Sequence, residues 1–171
     1  INLFRMRHAF IKLNWENTEL LTGQTWNPFF VTGCFPGTVS FNTGTPLQSF
    51  ARNPQIRAVY KTGDLRFTLA ALSQRDYTSR GVDGVSSKYL RNSGVPDMHF
   101  QAQLGMSDSE SGTGFVIGGG VAYKTLVPRL ESEGLTGLTY KVDEKVGGLT
   151  AIGFTKLTTR PMTFKLEARY G

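Results

Sequence analysis

The last stretch of the chain alternates strictly between apolar and polar side chains. The apolar positions are Met162, Phe164, Leu166, Ala168 and Tyr170, and the polar positions between them are Thr163, Lys165, Glu167 and Arg169. Successive side chains of a β-strand point to opposite faces. The pattern therefore predicts a strand over 162–170 with one apolar face and one charged face.

The same period of two recurs along the whole chain and predicts seven further strands. They cover roughly 3–15, 19–26, 55–61, 65–75, 97–105, 115–124 and 147–157. In the first of them the apolar positions change face, which predicts a β-bulge near Phe10–Lys12. The glycines of "GTGFVIGGG" are expected to make room for large neighbouring side chains or for strand curvature. The sequence predicts an all-β protein.

The connections between the predicted strands alternate in length. Short turns at 16–17, 62–64, 107–114 and 158–161 alternate with long links at 28–54, 76–96 and 125–146. An antiparallel meander with short turns at one end and long links at the other is typical of outer-membrane barrels. The predicted fold is an antiparallel up-and-down transmembrane β-barrel, with about eight strands present.

Every predicted strand carries an apolar face, and the sequence predicts no helix to cover it. A sheet without a second layer must close around its apolar side or turn that side to lipid. Aromatic residues near strand ends resemble the girdles of membrane barrels; they are Trp15, Trp26, Tyr60, Tyr123 and Tyr170. A soluble antiparallel sheet with an apolar interior explains the alternation equally well, but not the connections.

Composition excludes several classes of protein. The 171 residues allow one domain, and the net charge of +6 suits an anionic partner. The basic residues are dispersed, so we expect no nucleic-acid binding. Cys34 is the only cysteine and is expected to be a small buried side chain. His8 and His99 lack neighbours at metal-ligand spacing, and no nucleophile motif occurs, so we expect no metal, no cofactor and no enzymatic activity.

Basic side chains are predicted to line a water-filled interior, with acidic side chains mostly in turns and links and Glu167 as the main exception. The predicted lining residues are Arg5, Arg7, Arg52, Arg57, Arg66, Lys124, Lys165 and Arg169. Such a ring attracts anions and repels cations within a Debye length of about 8 Å. The charge pattern predicts a weak preference for anions.

The link 28–54 has an unusual composition. It contains four prolines, one charged residue, Arg52, and five phenylalanines: Phe29, Phe30, Phe35, Phe41 and Phe50. Disordered segments lack aromatic residues, and links of this length are otherwise functional. We therefore expect the link to pack, either inside the barrel or over its rim or a neighbouring subunit.

Three stretches, "RHAFIKLNWENTELLTGQTWNPFF", "FNTGTPLQSFARNPQIR" and "YLRNSGVPDMHFQAQL", resemble outer-membrane diffusion porins. In sequence, these stretches are most similar to Bacteroidetes-type porin and DcaP-like proteins. The resemblance implies a homotrimer in the bacterial outer membrane, contacting membrane lipid and passing small polar, anionic or neutral solutes by passive diffusion. It also implies that link 28–54 folds inward as a constriction loop.

The resemblance also implies that 1–171 is a central fragment of a single barrel domain, incomplete at both ends, since such porins have about sixteen strands or more. Two other functions remain open from the sequence. One is a secreted or surface β-sandwich that binds carbohydrate through exposed aromatic residues. The other is a substrate-specific channel, for example for sugars, with aromatic residues of the link along the path.

Overall fold

The computed structural model describes residues 6–34, 49–108, 111–135 and 137–171. The elements follow in the order β1 (Ala9–Asn14), β2 (Thr18–Trp26), β3 (Arg52–Thr62), β4 (Leu65–Leu72), β5 (Ser79–Gly81), β6 (Gly84–Ser86), α1 (Lys88–Ser93), β7 (Asp97–Asp108), β8 (Thr113–Leu126), β9 (Glu131–Glu133), β10 (Thr139–Lys141), β11 (Val146–Thr159) and β12 (Met162–Tyr170). The all-β prediction is confirmed.

Eight strands form one antiparallel sheet in the order β1-β2-β3-β4-β7-β8-β11-β12. These are the eight segments that the period of two predicts, joined by alternating short and long connections. The other four strands form two separate hairpins, β5 with β6 and β9 with β10. Neither hairpin is predicted by the sequence pattern, because each strand has only three residues, too few to establish an alternating pattern.

The helix α1 was also missed, and the expectation of a sheet without helices needs this correction. It has six residues, buries Tyr89 and Leu90, and ends at Gly94, which has a positive φ of 67°. One turn and a half offers too few positions to show a helical period. Among the described residues, no helix is long and apolar enough to cross a membrane.

The predicted bulge near Phe10–Lys12 is wrong. The strands β1 and β2 pair residue for residue from Ala9 opposite Gln24 to Asn14 opposite Glu19. The irregular backbone lies instead in β2, where Gly23 has a φ of +126°. A Cβ atom on Gly23 would lie 2.3 Å from the carbonyl oxygen of Ala9, so only glycine fits there without strain.

Replacing Gly23 by alanine is expected to lower the free energy of unfolding by about 1–3 kcal/mol, because the side chain forces both backbone strain and a steric clash. Equilibrium unfolding in denaturant measures the change. The matched control is Gly153→Ala in β11, where an added Cβ atom would meet nothing within 4 Å and should change stability by less than about 0.5 kcal/mol. Equal midpoints for the two variants would contradict the prediction.

The sheet has an apolar face and a polar face. One cross-strand row of the apolar face crosses all eight strands: Leu13, Leu20, Ala58, Leu69, Phe100, Val121, Ala151 and Tyr170. None of these residues is buried. The adjacent row on the polar face includes Thr68 and Gln101, which are both buried. The sheet thus covers its polar face and exposes its apolar face, the reverse of a soluble sheet.

The sheet is strongly curved, with the polar face on its concave side. Six strand spacings separate β2 from β12, roughly 29 Å along the sheet. Phe29 is three residues beyond the end of β2, which a chain spans in at most about 11 Å. The carbonyl of Phe29 nevertheless accepts a hydrogen bond from the Arg169 side chain in β12. The two strands must therefore be much closer through space than along the sheet.

Candidate functional site

The segment 27–34, which follows β2, lies against the polar face. The side chain of Phe29 is only 1 % exposed. It packs in an apolar cluster with Cys34, Ala122, Ile152 and Phe154. Burial raises the pKa of the Cys34 thiol, which fits its predicted role as a buried side chain.

Hydrogen bonds tie the segment to the other end of its link. The backbone N–H of Asn27 donates to the carbonyl of Ala51, over 2.9 Å. The side-chain oxygen of Asn27 accepts from the backbone N–H of Phe29, also over 2.9 Å. The link therefore leaves β2, turns onto the polar face within three residues and returns to β3 beside its starting point.

Two glycines of β8 make room for this packing. A Cβ atom on Gly120 would lie 2.9 Å from the Phe29 ring, and one on Gly118 would lie 2.4 Å from the Phe154 ring. Both distances are too short for a real side chain. The prediction that these glycines accommodate large neighbours is confirmed, although the sequence did not show that one neighbour is Phe29.

A cavity of about 330 Å³ lies between the segment 27–34 and the part of the polar face that is nearer the short turns. The wall contributes three basic side chains, Arg57, Arg66 and Lys156, together with polar side chains of β4 and β7: Thr68, Gln101 and Gln103. Both arginines are among the predicted lining residues, whereas Lys156 is not. Its position between Thr155 and Leu157 in an alternating strand places it on the polar face, and this signal was available.

A second cavity, of about 310 Å³, lies on the other side of the segment, towards the long links. Its lining includes Lys124, as predicted for a polar-face residue, and also Asp97 and His99. The imidazole of His99 is buried, with Nε2 3.1 Å from a carboxylate oxygen of Asp97, and its ring centroid is 4.6 Å from that of Phe29. The segment therefore separates two polar cavities on one face.

Arg52 belongs to β3 and not to the link, which corrects the predicted boundary at 54. Its guanidinium lies over the Trp26 ring at 3.9 Å, and its Nη1 is 3.8 Å from a carboxylate oxygen of Asp76. Trp26 also packs against Phe30 and Phe50, with ring centroids 4.8 and 4.9 Å away. Trp26 thus belongs to a cluster with the link, so its predicted place in an outer girdle is wrong.

Glu19 is a charged residue of the polar face that the sequence analysis overlooked. Its carboxylate lies 3.2 Å from Lys12, 2.5 Å from Lys61 and 3.6 Å from Arg66. The expectation that Glu167 is the main acidic exception within the strands is therefore incomplete. Glu19 compensates part of the positive charge at the short-turn end of the face.

The remaining predicted residues are dispersed. Arg7 precedes β1 and is exposed, and its carbonyl accepts a hydrogen bond from the Gln24 side chain over 3.1 Å. Lys165 of β12 lies opposite Lys156 in the register. Arg169 forms an ion pair with Glu167 at 2.6 Å. Three predicted residues lie outside the described residues: Arg5, Phe35 and Phe41.

The described residues contain no group of three or more His, Cys, Asp or Glu side chains placed to hold a metal ion. They offer instead two cavities with amide, hydroxyl and charged walls on either side of one ordered segment. Comparison of the chain with protein-family models, with curated proteins and with solved structures gave no match.

Proposed function

We propose that this chain forms the wall of a bacterial outer-membrane β-barrel, a porin through which small polar solutes diffuse passively. The observation that carries the proposal is the exposed apolar face. Contiguous apolar patches above a few hundred Å² are rare on soluble monomers, and exposing apolar area to water costs about 25 cal/mol per Å². Surrounding hydrocarbon removes that cost.

Strand length supports the proposal. A tilted strand needs about 9–11 residues to cross a bilayer. The strands β3, β7, β8 and β11 have 11, 12, 14 and 14 residues, and β2 and β12 have 9 each. The curvature of the sheet supports a closed wall, in which the polar face surrounds water and the apolar face contacts lipid.

A soluble carbohydrate-binding sandwich fits these observations less well. In a sandwich, a second sheet packs about 10 Å above the apolar face of the first. Among the described residues, the strands outside the main sheet form only two hairpins of three residues per strand, too small to cover eight strands. The side that the chain does cover is the polar one.

The segment 27–34 supports an inward-folded constriction loop, as the resemblance implies. It lies on the concave polar face and separates the two cavities, so a solute moving along that face must pass it. We propose that pore width at this segment sets the size limit. The homotrimer is proposed from the resemblance alone.

The charges on the polar face support a weak preference for anions. Among the described residues, Arg57 and Lys156 form no ion pair. Both line the cavity that lies between the segment 27–34 and the short turns. Arg66 shares this cavity but lies 3.6 Å from Glu19, and Arg52 is paired with Asp76. Compensation of these arginines should make the preference smaller than a count of basic residues suggests.

Reversal potentials in a salt gradient across a planar bilayer test the proposal. We expect the barrel that contains this chain to form conducting pores with a modest preference for anions. We also expect Arg57→Glu to lower the anion-to-cation permeability ratio several-fold, because its charge lies within a Debye length of about 8 Å from the path. Lys141→Glu in β10 is the matched control, since it changes the same charge on an exposed link. A cation preference in the unmodified chain would contradict the basic-wall proposal.

A further inference from the structure

We infer that Arg169 is a positioning residue that fastens the constriction segment 27–34 to the wall, rather than a cation that selects solutes. The inference rests on the proposed function for its effect on conduction, but the contacts themselves do not depend on it. The alternating pattern predicts that Arg169 is one of the pore-lining charges. Its surroundings assign it another role.

Among the described residues, the guanidinium of Arg169 donates hydrogen bonds to three different groups. Its Nη2 donates to the carbonyl of Phe29 over 2.5 Å, and its Nη1 donates to the hydroxyl of Ser49 over 2.6 Å. Its Nε donates to a carboxylate oxygen of Glu167 over 2.6 Å. Phe29 lies near the start of the link between β2 and β3, and Ser49 lies near its end. One side chain of β12 therefore holds both arms of the link.

Glu167 fixes the direction in which the guanidinium points. Arg169 and Glu167 are next neighbours on the polar face of β12, and their side chains are only 18 % and 9 % exposed, respectively. The second carboxylate oxygen of Glu167 is buried without a hydrogen bond. A buried carboxylate is strongly unfavourable without a paired charge, so the burial of Glu167 depends on Arg169.

The planar fork of arginine is essential to this arrangement, because three N–H groups must point in fixed directions at once. Lysine would keep the positive charge but could not reach all three acceptors with the same geometry. Arg57 is the contrasting case, since its Nε is buried without a partner and the residue forms no ion pair among the described residues. Loss of Arg169 should therefore affect where the segment lies, whereas loss of Arg57 should affect wall charge.

Phe29 attaches the segment to the sheet in two ways. The Phe29 ring anchors it to β8 and β11 through apolar contact, and the Phe29 carbonyl anchors it to β12 through Arg169. Removing the second attachment leaves the ring in place but releases one side of the segment. We expect the segment then to fluctuate across the path between the two cavities.

Hydrogen exchange of the folded chain in detergent micelles measures this release directly. The reporting amides are those of Asn27, Phe30 and Cys34, which donate to Ala51, Asn27 and Val31. We expect both Arg169→Gln and Arg169→Lys to accelerate their exchange about tenfold or more through local opening. Amides in the pairing of β3 with β4 should exchange as before. In bilayers, both variants should show increased open-channel current noise.

Lys124→Gln is the charge control. It removes one positive charge from the polar face and should shift the permeability ratio without accelerating exchange in the segment 27–34. The lysine variant of Arg169 should do the opposite, keeping the ratio while releasing the segment. If Arg169→Gln unfolds the chain, Arg169→Lys and Glu167→Gln remain as milder tests of the same contacts.

Wild-type exchange rates in folded Arg169→Lys and Glu167→Gln would overturn the inference. Accelerated exchange limited to the segment supports it, even if the chain conducts no ions. In that case the positioning role stands and the proposed function fails, so the two conclusions are separable.

Discussion

Replacing Leu69 by arginine is expected to lower the stability of the chain folded in lipid vesicles by about 2–4 kcal/mol, the cost of a cationic side chain at the bilayer midplane. Leu69 is 52 % exposed and lies in the middle of the apolar cross-strand row, between Ala58 and Phe100. If hydrocarbon surrounds this face, the charge has no solvent within reach. Reversible unfolding in urea, followed by tryptophan fluorescence, measures the loss.

The same substitution distinguishes lipid from water as the neighbour of the apolar face. In water, a change at a half-exposed leucine should cost less than about 0.5 kcal/mol. Leu135→Arg is the matched control, since Leu135 is fully exposed in the long link that follows β8 and should tolerate arginine in either environment. Equal stabilities of the two variants in vesicles would refute a lipid-facing wall.

The sequence predicts the main sheet because the physical requirement on each strand, one apolar and one polar face, is the same property that the alternating pattern records. Each long strand must present one apolar and one polar face, and the period of two records this over nine or more residues in most of them. The predicted positions of the strand ends are less accurate. The strand predicted at 55–61 in fact begins at Arg52. The sequence does not predict this earlier start, because the residues before Gln55 show no alternation, although Asn53 pairs with Thr25 in the register.

The sequence could not reveal which side of the sheet the chain itself covers. Alternation is identical for a sheet with a buried apolar face and for one with a buried polar face. Only the position of the segment 27–34 decides between them, and that position depends on contacts of Phe29 with His99 and Arg169, which are 70 and 140 residues away in sequence. Such long-range packing leaves no local pattern.

The predicted site residues show the same limit. Alternation places Arg57, Arg66 and Arg169 on the polar face, but it does not show which of them has a partner. Arg66 is paired with Glu19 and Arg169 with Glu167, whereas Arg57 forms no ion pair among the described residues. The three arginines occupy the same kind of position in the alternating pattern but have different neighbours. Glu19 reaches Arg66 from another strand, whereas Glu167 lies two residues before Arg169 on the same face of β12.

Replacing Phe29 by alanine should release the segment 27–34 more completely than any change at Arg169. Large-to-small substitution of a buried aromatic costs about 3–5 kcal/mol, and here the loss falls on one segment rather than on the ladder of the sheet. The segment then loses the largest side chain that it contributes to the apolar cluster with Ala122 and Ile152. We expect single-channel conductance to rise, because the segment no longer occupies the path between the cavities.

Phe164→Ala is the matched control for this prediction, since Phe164 is 59 % exposed on the apolar face of β12 and does not touch the path. Its loss should leave conductance unchanged. Protease cleavage measures the release itself, because a released segment becomes accessible to protease while the strands remain protected. A chain with Phe29→Ala that is cleaved in the segment but conducts as before would show that the segment, although ordered by Phe29, does not constrict the pore.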